Sequence, residues 1–430
     1  MLAAHYVASA PGLQARAMPG IPRRETLHLP TSETTTIGRL PPGEAEGEAP
    51  HKENAVKFHP FMYVTIGRRR ELEQGMAGKN PVLYQRMLDE IGAYARLCDE
   101  AGYAGIGIPE HHLQIEGFEL GQDPGLMAMY MGMQTQRLRI NQFGYVLPTH
   151  NPLRVAEHAA TLDHMLGGRL NVAFVRGYQA RWFENYAALP GVKATGPWNR
   201  KMTEDDVNRE LFEECVQIIK TPWSRDTFSH QGKYWSFPVA GQKNPHDHPV
   251  YARYGQGVGP DGTIHEIGIA PRPLQNPIPL YSGFTHSLQT SLYWAREGGK
   301  PVVLSSQMDF CQMLWAKYRE VAEQHGRTIP VGEEAAWGGY LVLADTQAQA
   351  EAWAHDCLWF WDTWPLPFGQ GHPPLLIGDA DTVSRMIEEA SRHIPFNEVF
   401  FLFGQGLLER DKCLKTLELF ANKVMPRFQD

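Results

Sequence analysis

Four short polar clusters interrupt otherwise apolar runs in this sequence: Glu110-His111-His112, Thr149-His150-Asn151, Arg176-Gly177 and Thr285-His286-Ser287. Their residue types suit proton transfer and anion binding. An imidazole titrates near neutrality, so His111 and His112 are candidate acid–base groups. Adjacent residues at a strand end point opposite ways, so only one of the two should face a cavity. Arg176 precedes a glycine that lets backbone or ligand come close. A fixed guanidinium there suits a phosphate, and the competing role is an ion pair with a carboxylate such as Glu184. Thr285, Ser287, Thr290 and Ser291 stand at the start of a helix, where free N–H groups and hydroxyls can cradle an anion or simply cap the helix. Arg209, on the preceding helix, offers a second positive charge or a place on a solvated face.

Other chemistry is poorly supported. His111 and His112 with His150, or His246-Asp247-His248, lack any recognised metal-ligand spacing, so no metal is expected. Gly255-Gln-Gly-Val-Gly259 neither follows a strand nor opens a helix, so it is not a dinucleotide fingerprint. There is no phosphate-binding P-loop and no G-x-S-x-G nucleophile elbow. The chain shows no nicotinamide site of its own.

What must position the four clusters is a set of strands, because each cluster ends an apolar run. The stretch from Gly144 to Gly177 shows the unit. Tyr145 to Leu147 ends a strand, and Pro148, Asn151 and Pro152 turn the chain and start a helix. Val155, Ala159, Leu162 and Leu166 repeat at helical spacing, and Gly167-Gly168 stops them. Leu170 to Val175 is apolar except for Asn171, too continuous for a half-wet strand and right for a parallel one buried on both faces. Similar strands fall near 58–66, 104–108, 138–147, 278–283, 302–304, 339–343 and 398–403, with helices between most of them. Eight βα units predict an α/β fold of the (β/α)8 TIM-barrel type, with a doubly wound sheet as the rival. In a barrel the strand carboxyl ends converge on one rim.

Four regions stand apart from that repeat. Residues 1–55 are rich in proline and small residues and read as an extended or poorly structured N-terminal arm, leaving 56–430 for the barrel. A long insertion at about 222–277 precedes the fifth strand. It opens with a hairpin around Gln231-Gly232-Lys233, and its Gly- and Pro-rich part, 238–277, reads as a lid. The loops 178–202, with Trp182, Phe183, Tyr186 and Trp198, and 364–374, rich in proline, complete the set.

The chain has 430 residues, 43% of them apolar and 20% charged, enough for a large core. No run approaches the ~18 apolar residues of a membrane span. A net charge of −8 argues against nucleic acid as a partner. The five cysteines are scattered and odd in number, which predicts reduced core thiols in a cytoplasmic protein. The first residues lack a basic segment followed by an apolar one and make a poor secretion signal.

Several long motifs resemble, in the right order, the bacterial luciferase-like, flavin-dependent monooxygenases: PEHH at 109–112, VLPTHNPLRVAEHAATLDHMLGGRL at 146–170, VAFVRGY at 172–178 and IPLYSGFTHSLQTSLYWAREGGKPVVLSS at 278–306. The resemblance implies a barrel that binds reduced FMN with its ring in the mouth, and O2 as co-substrate. It implies that Arg176 and Arg209 hold the phosphate, with Ser287, Thr290 or Ser291 at the helix start. Glu110, and a cis peptide between Phe143 and Gly144, would border the ring, and His111, with His112 beside it, would be catalytic. It further implies a flavin 4a-hydroperoxide that gives one oxygen atom to a small organic, possibly aromatic or heterocyclic, substrate. Val175 stands where luciferases themselves have a cysteine, which points to a general monooxygenase rather than a light emitter. A separate NAD(P)H-dependent flavin reductase and a homodimer are the implied partners. The rival readings are hydride transfer from a reduced deazaflavin on the same barrel, a flavin-binding protein without turnover, and a metal hydrolase.

Overall fold

The computed structural model describes residues 55–196, 199, 202–244, 249–284 and 287–429. The arm expected over 1–55 lies outside them except for its last residue, and so do Trp198, His246 to His248, Thr285 and His286. Eight strands form the centre: β1 (Lys57–Phe61), β2 (Gly105–Ile108), β3 (Arg139–Val146), β4 (Leu170–Val175), β5 (Leu280–Ser282), β6 (Lys300–Val303), β7 (Ala336–Leu343) and β8 (Glu398–Phe403). Each pairs in parallel with the next, and β8 pairs with β1, so the sheet closes into a (β/α)8 barrel.

The barrel is filled in layers. Side chains two apart on one strand share a face, so Asn141 and Phe143 of β3 both point inward. Phe143 packs at 5.0 Å from Tyr281 and 5.2 Å from Phe400, centroid to centroid. The layer around Asn141 is polar. Its amide reaches His59 at 3.1 Å, Asn171 donates to it at 2.8 Å, and nearby Lys300 donates to Glu398 at 2.7 Å. The helix Pro152–Met165 shows how local signals place an element. Asn151 caps its start by accepting from Leu153 N–H at 2.9 Å, and Gly167 and Gly168 end it at φ 61° and 81°.

Several boundaries differ from expectation. The strand expected over 58–66 stops at Phe61, because Val64 pairs antiparallel with Leu120 instead. Part of the loop 178–202 is a helix, Ala180–Tyr186, which buries Trp182 and Phe183. A short strand, Leu375–Gly378, adds to β7 beside the closed ring. The hairpin is present as His230–Gln231 against Ser236–Phe237. All five cysteines are buried and unpaired with one another. Among the described residues, no helix is long and apolar enough to cross a membrane.

The expected lid is the main correction. Among the described residues, the segment 238–277 contributes nothing to the cavity at the strand ends. It returns to the amino end of β4, where Gln275 donates from its backbone and its amide to Asp163, both at 2.7 Å, and to the Leu170 carbonyl at 2.8 Å. The insertion follows a helix and precedes a strand. Such a connection belongs to the face where strands begin, opposite the rim that carries sites.

Candidate active site

A cavity of about 520 Å³ opens at the carboxyl ends of β1 to β6. Tyr63 follows β1, Pro109 to His111 follow β2, and Phe143, Gly144 and Val146 end β3. Val175, Gly177 and Tyr178 come from β4, Gly283 and Phe284 from β5, and Leu304 to Gln307 from β6. Trp182 and the segment 368–372 complete the wall. That segment belongs to the loop 364–374, so this loop, not 238–277, shields the site. The size is within the range of small-molecule and cofactor sites.

The Glu-His-His triplet divides as a strand end requires. His111 lines the cavity, whereas His112 turns away and stacks on Tyr186 at 4.6 Å. Both flank Glu110, whose carboxylate is fully enclosed. It meets His112 Nε2 at 2.8 Å and His150 Nε2 at 2.7 Å, and accepts from Val146 N–H at 2.8 Å. The second polar cluster of the sequence thus joins the first. Burial pushes the Glu110 carboxyl up, but the charge of His150 and the bonds from His112, His150 and Val146 outweigh it and hold it at about 2. Burial lowers His150, yet Glu110 raises it overall.

These opposite shifts set a stability window. Glu110 contributes stability above its unfolded value of about 4.3 that is lost as pH falls towards 2, while the share of His150 is complete below about 6.5 and fades as pH rises through its raised value. Glu110→Gln should therefore be less stable than wild type by about 3 kcal/mol near pH 6. Thermal melting from pH 6 down to 2.5 should show that gap closing; a gap independent of pH would show that the carboxylate does not carry it.

His111 is 7% exposed and its ring sits edge-on to Tyr63 and Tyr178, at 6.3 and 6.0 Å. Nδ1 is buried without a hydrogen bond, which leaves Nε2 to meet the cavity. Burial lowers its pKa, while Glu119 and Glu110 pull the other way. A neutral imidazole with an open nitrogen can accept a proton or, once charged, return it.

The Phe143–Gly144 peptide is cis, as the resemblance implied. Glycine is required there by space: a Cβ on Gly144 would stand 2.6 Å from the Ala173 carbonyl oxygen. Gly177, at φ 80°, is equally constrained, since a Cβ would meet Phe183 and Val146 at 2.6 Å.

Arg176 does not project into the cavity as expected; Val175 and Gly177 on either side of it line the wall instead. Its Nη2 donates to Asp205 Oδ1 at 2.5 Å, and its Nε to Asn208 Oδ1 at 3.0 Å. Arg209 Nη2 donates to the other oxygen of Asp205 at 2.6 Å, so one carboxylate holds both guanidinium groups together. Glu184, the partner weighed from sequence, binds Lys193 instead. One turn past Arg209 on the same helix, Glu213 has its carboxyl pushed up by burial against the charges of Arg296, Arg209 and Arg176. Its carbonyl accepts from the Tyr293 hydroxyl at 3.5 Å, which places the arginine pair beside the helix Leu288–Glu297. Ser287 caps that helix by accepting from Thr290 N–H at 3.4 Å, and Thr290 is half-buried. Ser291 is withdrawn: it is fully buried and donates to the Ser287 carbonyl at 3.2 Å.

Sequence reasoning missed Tyr63, Glu119, Tyr178, Asp205 and the Ser305–Gln307 turn. The last could have been found by extending the strand-end rule to β6, and Tyr178 by reading two residues past Arg176. Asp205 could have been found as the i,i+4 partner of Arg209 on one helix, whereas Glu119 carries no local signal. Among the described residues, no three His, Cys, Asp or Glu side chains are arranged to hold a metal ion.

A parallel barrel whose rim places His111 in a cavity walled by aromatic side chains and glycines that leave backbone open is a small-molecule enzyme of the (β/α)8 class. Residues 67–393, well over half of the chain, match the luciferase-like monooxygenase family, and the protein belongs to it. It is 22% identical over 307 residues to 3,6-diketocamphane 1,6-monooxygenase of Pseudomonas putida, covering 70% of each chain. To the oxygenase component of the flavin-dependent trigonelline monooxygenase of Acinetobacter baylyi it is 27% identical over 154 residues, 36% of this chain and 38% of that protein. The oxygenating constituent of the Pseudomonas putida 3,6-diketocamphane monooxygenase, solved in complex with FMN, shares the fold at a TM-score of 0.64, with 17% identity over 87% of this chain and 99% of that one.

Proposed function

We propose that this chain is the oxygenase of a two-component monooxygenase, using reduced FMN and O2 to place one oxygen atom on a small organic substrate. The observation that carries the reading is His111, with Nε2 open to the cavity and Nδ1 buried. The residues present fit a flat ring: Phe143, Phe284 and Trp182 supply apolar walls, and Gly144, Gly177 and Gly283 keep side chains out of its path. Arg176 and Arg209, paired through Asp205, would hold the phosphate with Thr290 and the Ser287 turn, whereas Ser291 would act only through the helix. Glu110 and the Phe143–Gly144 peptide would border the ring.

Bound reduced flavin supplies the electrons that activate O2. Trp182, Phe284 and Phe368 keep water from the cavity, which protects reactive species from hydrolysis. His111 holds or moves a proton at Nε2 as oxygen reaches the substrate. The sequence has no nicotinamide fingerprint, so a separate NAD(P)H-dependent reductase supplies reduced flavin; the relative named as an oxygenase component supports that arrangement. Exposed Val82, Leu126 and Met133, on the adjacent helices Pro81–Glu100 and Pro124–Gly132, support a homodimer.

The test is oxygen consumption with reduced FMN across a panel of ketones, aldehydes and ring substrates, with product masses recorded. Growth of a product heavier by one oxygen supports the reading. Turnover with reduced deazaflavin and no oxygen uptake would replace it by hydride transfer. Arg176→Ala should weaken FMN binding by about 1.5–3 kcal/mol, the scale of a charge-assisted hydrogen bond, and leave riboflavin binding nearly unchanged. Titration by flavin fluorescence reads both, and equal losses for the two flavins would remove Arg176 from the phosphate site.

A further inference from the structure

Behind His111, on the side away from the cavity, lies a buried carboxylate with no cationic hydrogen-bond partner. Glu119 is fully enclosed. Its Oε2 accepts from the Tyr178 hydroxyl at 2.8 Å and from Gln179 Nε2 at 2.6 Å. The Gln179 amide is oriented so that it must donate there, because its Oε1 accepts from Trp182 Nε1 at 3.0 Å. The other oxygen, Oε1, is buried and unpaired. Of the other enclosed carboxylates, Glu90 meets Arg68 and Glu398 meets Lys300, whereas Asp163 has both oxygens bonded by Gln275 and so leaves neither unpaired. For Glu119 the nearest candidate is His111, whose Nδ1 lies 3.8 Å from Oε2 and is itself buried and unpaired. Buried polar atoms are rarely left without partners, because neither water nor protein then compensates their desolvation.

The backbone around Glu119 points the same way. It adopts φ 46°, a left-handed conformation uncommon for a side chain of this kind. Bridges pin the two residues that follow it: Leu120 pairs with Val64, and Gly121 pairs with His111 itself. A residue kept in that conformation by pairing to the very strand end that carries the histidine is positioned, not incidental.

We propose that Glu119 is the positioning residue of His111: it draws the proton of the neutral imidazole onto Nδ1, so that the Nε2 lone pair faces the cavity, and it stabilises the imidazolium when Nε2 takes a proton. Tyr178 and Gln179 fix the carboxylate, and the Tyr178 hydroxyl tempers its pull by donating to it. The remaining titratable groups near the ring are Tyr63, edge-on, and Glu110 and His112 on its own strand end. Glu110 is already engaged by two other imidazoles, so it does not replace Glu119. The inference rests on the proposed proton-handling role of His111.

The test uses the full chain without flavin, labelled with ¹⁵N at the imidazole nitrogens, the His111 signals being assigned by their loss in His111→Gln. Wild type should show the Nδ1–H form. Glu119→Gln should shift it towards Nε2–H and make His111 about tenfold harder to protonate, since one neighbouring charge is removed. Glu119→Asp should restore part of both. Tyr178→Phe should act in the opposite sense, making His111 severalfold easier to protonate, because the carboxylate loses a donor. This second variant keeps the test open if Glu119→Gln does not fold. An Nε2–H form in wild type would overturn the proposal, and so would unchanged His111 signals in folded variants or a same-sign shift in Tyr178→Phe. The titration needs no flavin. Shifts as expected alongside failed oxygen transfer would therefore sink the monooxygenase reading and leave the Glu119–His111 pair standing.

Discussion

His111→Ala is expected to lower coupled product formation by about 10²–10⁴-fold, the range for loss of a positioned acid–base group, while FMN affinity changes by no more than a few-fold. The reason is where the two ring nitrogens sit. Nδ1 is enclosed, and the remaining nitrogen is the one titratable atom of the Glu-His-His triplet that reaches the cavity. Its removal opens space beside Tyr63 and Tyr178 without touching Arg176 or Arg209. Oxygen uptake should continue but end in hydrogen peroxide. Simultaneous measurement of O2 consumed, peroxide released and product formed checks this, and full product yield in the variant would refute the assignment. His112→Ala makes the contrast. It takes one imidazole from Glu110, so its effect should appear mainly in thermal stability.

The second large effect concerns the barrel. Gly338→Ala should cost about 3 kcal/mol or more, at the upper end of what overpacking does. An ideal Cβ at that position would lie 1.5 Å from the Phe400 carbonyl oxygen, and Gly338 is registered directly against Phe400 between β7 and β8. Backbone cannot yield as a flexible side chain can, so the two strands would have to part near the seam that joins β8 to β1. Urea unfolding reads the loss. Gly371→Ala is the control, because nothing lies within 4 Å of its would-be Cβ, and its midpoint should stay within about 0.5 kcal/mol of wild type. Similar midpoints for the two variants would show that β7 and β8 do not press together at Gly338.

The same glycine explains a misplaced boundary. The sequence places strand seven at 339–343, whereas β7 starts at Ala336. Gly338-Gly339 weakens the apolar pattern that reveals a strand, yet the close approach of β8 is what demands glycine there. The error over 238–277 has another origin. Composition alone marks a long Gly- and Pro-rich loop as functional, but connection order assigns a helix-to-strand insertion to the barrel's far face. That rule was available without coordinates. Ser291 stood among the candidates because a hydroxyl in a helix's first turn can serve a ligand or its own backbone, and only its burial and its bond to the Ser287 carbonyl show the second use.

By itself the sequence determined the eight parallel strands, the helices between them, the family resemblance and the rim on which the polar clusters gather. Those properties follow from short-range periodicity and from the rule that strand carboxyl ends share one face. Only the tertiary structure decided that one oxygen of Glu110 meets both His112 and His150 while the other accepts from Val146, that Asp205 binds Arg176 to Arg209, and that Glu119 stands behind His111. Glu110 to His150, Asp205 to Arg176 and Glu119 to His111 each join separate elements of the barrel wall and its loops. Their geometry is set by how barrel closure brings those elements together, which no local pattern of residues encodes.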